Sequence, residues 1–172
     1  MPDDSPPNFL PSKHLIALGN IVAYWAYLES SLEVAIWAFL NLDRPRGVIV
    51  TTEMGNISRM QAITMLSELH FPDADLTELK DVLSRIDAAR IKRNDYIHYL
   101  WKHQPDERAT ELAALKISAK GAFKQKKGTV SINELEQLVV EINHLTYEMR
   151  SFVEVVFPDA HIPWPRIDDE EN

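Results

Sequence analysis

From Leu15 to Leu28 the chain carries no charged residue, and apolar positions recur at three- and four-residue steps as far as Leu40. Leu18, Val22, Trp25, Leu32, Ile36 and Leu40 mark the stripe of one long helix. It is expected from Ser12 or Lys13 to about Leu42, with Ser12 as its cap. Pro45, Pro72 and Pro105 fall between such periodic stretches, where proline ends or begins helices. Asp43 to Gly47 reads as a loop, followed by a shorter helical region broken near Gly55 and Asn56 and ending about His70. A third helix is expected from near Asp75 to about His103.

The period then changes. Ala113 to Gly128 is short, alternating and lysine-rich, which suits a β-hairpin and also an irregular loop. Ser131 and Glu134 form a capping box, and Val130 and Leu135 stand where a hydrophobic staple places them. The last helix should therefore start there and run to about Phe157, ahead of Pro158, with a stripe through Leu135, Leu138, Ile142, Leu145, Met149, Phe152 and Val156. The expected fold is all-α: an up-down bundle of four to five helices with a lysine-rich insertion before the last. Four prolines in residues 1–11 and three in residues 158–172 mark a disordered N-terminal tail and a Pro-rich acidic C-terminal tail around a domain of residues 12–157.

Composition narrows the chemistry. With 172 residues, 45% apolar and 26% charged, the chain can build a globular core without staples. It has no cysteine, which excludes disulfides, thiol nucleophiles and cysteine-bound zinc. No Gly-rich phosphate loop and no Gly-x-Ser-x-Gly elbow is present. The start lacks the basic and apolar regions of a signal peptide, and the Leu15 to Leu28 run is too short to span a bilayer. A cytoplasmic protein with no membrane partner is expected. The net charge of −8 argues against a polyanion ligand, yet Arg85 to Lys127 holds eleven basic and five acidic residues. Lys116, Lys120, Lys124, Lys126 and Lys127 make a local basic surface, either a solvated face or a place to recruit nucleic acid.

Two charges sit inside apolar stripes. On the third helix Leu79, Val82, Leu83, Ile86, Ala89, Ile97, Leu100 and Trp101 share a face, with Arg93 near its centre, Arg90 within it, and Asn94 and His98 on its flank. Glu29 lies in the middle of the first helix's stripe. Burying an isolated charge is costly, so Glu29 should pair with Arg93 or Arg90. Such a pair either orders the helices only, or orients an arginine toward a pocket or a partner subunit.

Arg93-Asn94-Asp95-Tyr96-Ile97-His98 reads Arg-Asn-x-x-x-His, late in a long helix. This resembles the signature of the HEPN superfamily, small helical bundles many of which are metal-independent endoribonucleases of toxin–antitoxin, abortive-infection and RNA-processing systems. The resemblance implies catalytic roles for Arg93, Asn94 and His98, and no cofactor or metal. It also implies a homodimer that brings two motifs together, RNA as substrate, and a cognate antitoxin as a possible partner. Glu29 and Arg90 would support the site, and the five lysines would hold flanking RNA. Family members that have lost catalysis act as dimerisation or RNA-binding modules, which is the alternative reading. One subgroup continues the motif to His-x-Tyr; here Leu100 stands at that position, so the tyrosine modification of that subgroup is not expected.

Other constellations are weaker. Glu141 and His144 supply one Glu-x-x-His where a di-iron bundle needs two, and His144 points away from the stripe. His14, His70, His103 and His161 read as surface residues near helix ends or in a tail. Trp25, Trp37 and Trp101 read as core or interface, and Trp164 as a docking point for the C-terminal tail.

Overall fold

The computed structural model describes residues 9–74, 76–118, 124–158 and 164. Among them run α1 (Ser12–Leu40), α2 (Arg44–Thr51), α3 (Asn56–His70), α4 (Thr77–His98), β1 (Leu100–Trp101), β2 (Glu111–Ser118), β3 (Lys124–Ser131) and α5 (Ile132–Val156). The fold is mainly helical but not all-α, because a three-stranded antiparallel sheet in the order β1-β2-β3 precedes α5. No helix among the described residues is long and apolar enough to cross a membrane. Most of residues 1–11 and 158–172, with His161 and Asp75, lie outside the described residues. The chain forms two compact units, Met1–Ala23 with Ala89–Glu141, and Tyr24–Ala88 with Ile142–Asn172.

In the second unit, α1 ends two residues earlier than its apolar pattern suggests. Asn41 adopts φ 49°. Its N–H donates to the Ala38 carbonyl at 3.2 Å, and Leu42 N–H donates to the Trp37 carbonyl at 2.9 Å. This left-handed cap satisfies carbonyls that a helix end leaves open. The Asp43 to Gly47 segment is mostly helical rather than a loop, since Asp43 caps α2 by accepting from Arg46 N–H and Pro45 fits the first turn. Gly47 is required by proximity: a Cβ there would lie 2.4 Å from the Trp37 ring. That indole is buried and donates to Thr51 Oγ1 at 3.1 Å. The break near Gly55 is real, and Gly55 caps α3 without a side-chain bond.

The buried face of α1 runs through Ala17, Ile21, Trp25, Leu28, Leu32 and Ile36. Val22 and Leu40, expected on the stripe, are exposed. On α5 the stripe holds from Leu135 through Leu138, Ile142 and Leu145 to Met149, all buried, but beyond it Phe152 and Val156 are half-buried and Val153 is buried instead. The capping box forms as the spacing requires: Ser131 N–H donates to Glu134 Oε2 at 2.7 Å, and Glu134 N–H to Ser131 Oγ at 3.2 Å. Val130 and Leu135, the staple pair, are both buried. At the chain's start Leu10 and Pro11 are buried too, so the tail does not extend to residue 11. Ser12 is the first residue of α1 rather than its cap, and Glu107, from the loop before β2, accepts from its N–H at 2.9 Å and its hydroxyl at 3.1 Å. A carboxylate at a helix N-terminus is favoured by the orphan N–H groups and the dipole there.

Candidate functional site

The first unit carries the motif. α4 is expected from its pattern to continue through Trp101, but it stops at His98. Tyr99, Leu100 and Trp101 are residue types that suit an extended, half-covered edge. Trp101 Nε1–H donates to the Tyr96 carbonyl at 3.2 Å and so satisfies one of the open carbonyls of the helix end. β1 then pairs with β2, Leu100 opposite Leu115 and Trp101 opposite Ala114. Leu100 is therefore an exposed strand residue, not part of a helical stripe.

His98 is exposed on the last turn of α4, while Arg93 and Asn94 are half-buried. The Arg93 guanidinium donates from Nη1 to Asn94 Oδ1 at 3.0 Å. Five residues separate Arg93 from His98, which is about 7.5 Å along the axis and about 140° around it. The two side chains can flank a single phosphate but do not touch as neighbours on one face. Arg90 is half-buried one turn before Arg93. Glu29 belongs to the other unit, where its Oε1 accepts from Trp25 Nε1 and from Asn56 Nδ2, each at 2.8 Å. Asn56 in turn accepts from Arg59, whose guanidinium also binds Glu33 at 2.5 Å. Burial raises the Glu33 carboxyl above its usual range, with Arg59 pulling it down and Glu29 pushing it up.

The lysine-rich insertion is a hairpin. Lys116 stands directly opposite Lys126, Leu115 opposite Lys127 and Ser118 opposite Lys124. Lys120 and the Lys124 side chain lie outside the described residues. The Lys116 ammonium pairs with the Asp95 carboxylate, inside the motif, and so ties the hairpin to α4. Lys92 makes a looser pair with Glu141 at 3.8 Å. Lys126 and Lys127 are exposed.

Three aromatic side chains gather at the same place. Tyr96 and Tyr99 rings lie 5.9 Å apart, and Tyr99 and Trp101 rings 5.6 Å apart, both edge-on. All three are half-buried. Burial raises both phenol pKa values above the usual tyrosine range, the Glu134 carboxylate adding to this at Tyr96 and Asp95 at Tyr99, so both remain hydroxyl donors at neutral pH. Reading the sequence missed this cluster, and with it Asp95. The signal was present in three aromatic residues within six positions, interleaved with the motif.

The remaining histidines and tryptophans separate clearly. His14 is fully buried, contrary to its expected surface position. His70 sits on the last turn of α3, its Nδ1 2.9 Å from the Leu66 carbonyl. His103 is in the loop after β1, its ring 5.4 Å from that of Phe9. His144 is exposed on α5. Trp25 and Trp37 are core, and Trp164 lies under the Arg150 guanidinium at 4.7 Å. Among the described residues no three His, Asp or Glu side chains converge as a metal-ligand set. A groove of about 700 Å³ lies in the other unit, lined by apolar Leu79, Val82 and Phe152 and by the carboxylates Glu78, Asp81 and Glu148, with no basic side chain in its lining. No family model, curated protein or solved structure matches this chain.

Proposed function

We propose that this chain is a metal-independent endoribonuclease of the HEPN type, working as a cytoplasmic homodimer in a toxin–antitoxin or phage-defence system. One observation carries the reading: His98 is exposed at the end of the helix whose Arg93 and Asn94 are joined by a side-chain hydrogen bond. In the reaction the ribose 2′-hydroxyl attacks the adjacent phosphorus, the P–O5′ bond breaks, and a 2′,3′-cyclic phosphate remains. Arg93 stabilises the charge that builds on the phosphoryl oxygens with paired hydrogen bonds. Asn94 holds the guanidinium and positions the phosphate or ribose. His98 moves protons, one leaving the 2′-hydroxyl and one reaching the 5′-oxygen, because imidazole accepts and releases protons near neutral pH. Two transfers call for two imidazoles, which a two-fold dimer supplies from two copies of His98. Arg90 supports the arginine, and Lys116, Lys120, Lys124, Lys126 and Lys127 hold flanking RNA, whereas Glu29, expected from its stripe to pair with an arginine, is bonded to Trp25 and Asn56 and is left out of the site.

A second reading is a non-catalytic dimerisation or RNA-binding module, favoured by the same Arg93–Asn94 bond if it serves only to order the helix end. Cleavage separates the two. The protein should cut RNA in the presence of EDTA and leave 2′,3′-cyclic phosphate ends. His98→Ala should lower kcat/KM by about 100-fold or more while the helical circular dichroism is unchanged. Equal behaviour of wild type and His98→Ala on several RNAs would establish the module.

A further inference from the structure

Beside His98 the sheet presents a surface that no catalytic role accounts for. Trp101 stands opposite Ala114 and Ala114 opposite Gly128, so the three share one face of the sheet. Two positions toward the hairpin tip, Lys116 and Lys126 stand opposite each other on that same face. Like charges placed directly across a ladder destabilise it, and while Lys116 is compensated by Asp95, Lys126 is exposed beside it. Ala114 itself is buried, but beside it Gly128 is exposed, and no atom lies within 4 Å of the place a Cβ would take, which leaves space beside the lysines. The Tyr99 ring is 5.6 Å from that of Trp101, and its hydroxyl feels the Lys116 charge. Two aromatic rings and two ammonium groups thus adjoin an open position, one residue past the motif histidine.

We propose that Tyr99, Trp101, Lys116 and Lys126 form a nucleotide subsite for single-stranded RNA, in which a base stacks on the Tyr99 ring, braced edge-on by Trp101, and the adjoining phosphate takes the two lysines. This rests on the reading that the chain acts on RNA, and it names the form of RNA. A duplex keeps its bases stacked on one another and offers no free π-face, whereas an unpaired base does. Asp95 is the positioning residue: by holding Lys116 it keeps the hairpin against the helix that carries Arg93 and His98.

The test is binding, measured on the cleavage-deficient His98→Ala chain by fluorescence anisotropy. The probes are a labelled single-stranded RNA, its duplex, and the same strand with abasic sites. Single-stranded RNA should bind more tightly than both. Tyr99→Leu should weaken it by about tenfold or more, Tyr99→Phe should restore it, and neither should change binding of the abasic strand. Lys126→Ala, at an exposed position, should weaken all three probes and reduce their salt dependence by somewhat less than one released counterion. Equal affinity for single strand, duplex and abasic strand overturns the subsite, as does a folded Tyr99→Leu chain that binds like its parent. Because cleavage is read separately, RNA cut without this discrimination removes the subsite alone. Discrimination without cleavage by wild type removes the nuclease and leaves the subsite.

Discussion

A histidine ring with no exposed surface must stay neutral to remain where it is, and His14 is such a ring. Burial lowers its pKa below the usual 6.5, with Lys13 on α1 adding to the effect. The backbone of Thr110 and the carboxylates of Glu107 and Glu136 pull the other way. Above pH 6.5 the residue is neutral in both folded and unfolded chains. Below it the unfolded chain takes the proton first, so stability falls with pH until the folded value is passed, by at most about 1.4 kcal/mol per pH unit. Urea unfolding at pH 7.5 and 5.5 should therefore show a loss that His14→Leu reduces, a comparison that cancels the titration of every other group. A pH dependence identical in both chains would mean the ring is charged or solvated in the fold. The sequence concealed this residue. Its flanks, Lys13 and a predicted helix start, look like surface, and the groups besides Lys13 that act on its charge, Glu107, Thr110 and Glu136, lie some 90 or more residues away in sequence. Glu29 was visible as an anomaly in an apolar stripe, but Asn56 is 27 positions away and no local spacing announces such a bond.

At the scale of elements, what could be read was what is local. The Ser131–Glu134 box is spelled by residues three apart, and the structure forms both of its bonds. The alternation that suggested a hairpin is formed as one, but the buried face is the other phase: Leu112 and Ala114 are buried while Ile117 is exposed. The ends of α1 and α4 were not legible, because apolar periodicity continues past both. What stops α1 is the left-handed Asn41, and what stops α4 is a strand pairing that turns Leu100 and Trp101 into sheet residues. This makes Asn41 testable. A β-branched residue resists positive φ, so Asn41→Val should cost about 1–2 kcal/mol in urea unfolding, whereas Asn41→Gly should be neutral or slightly stabilising. Equal losses from both would show that the Asn41 side chain matters rather than its backbone. The same boundary error hid the aromatic cluster, since a helix continued through Trp101 would carry Tyr99 and Trp101 about 200° apart rather than side by side.

For the whole molecule, the proposed nuclease raises the question of how one short motif could make a complete site. Each chain has one Arg93 and one His98, and cleavage by 2′-hydroxyl attack needs a base on one oxygen and an acid on the other. If one imidazole did both within a single chain, activity per chain would not depend on concentration. If two chains share the site, dilution below the dimer dissociation constant should lower the specific activity in step with the mass seen by light scattering. Adding excess His98→Ala chain to wild type sharpens the test. A mixed dimer holds one imidazole where the reaction calls for two, so wild-type activity should fall as the variant is added. The acidic remainder of the chain, −14 outside Arg85 to Lys127, repels RNA at long range. On the proposed RNA-binding role, short-range attraction at the hairpin has to overcome this, so affinity should fall steeply with salt. Constant specific activity across dilution, with no loss on adding the His98→Ala chain, would place the whole reaction in one subunit and leave the second proton to water.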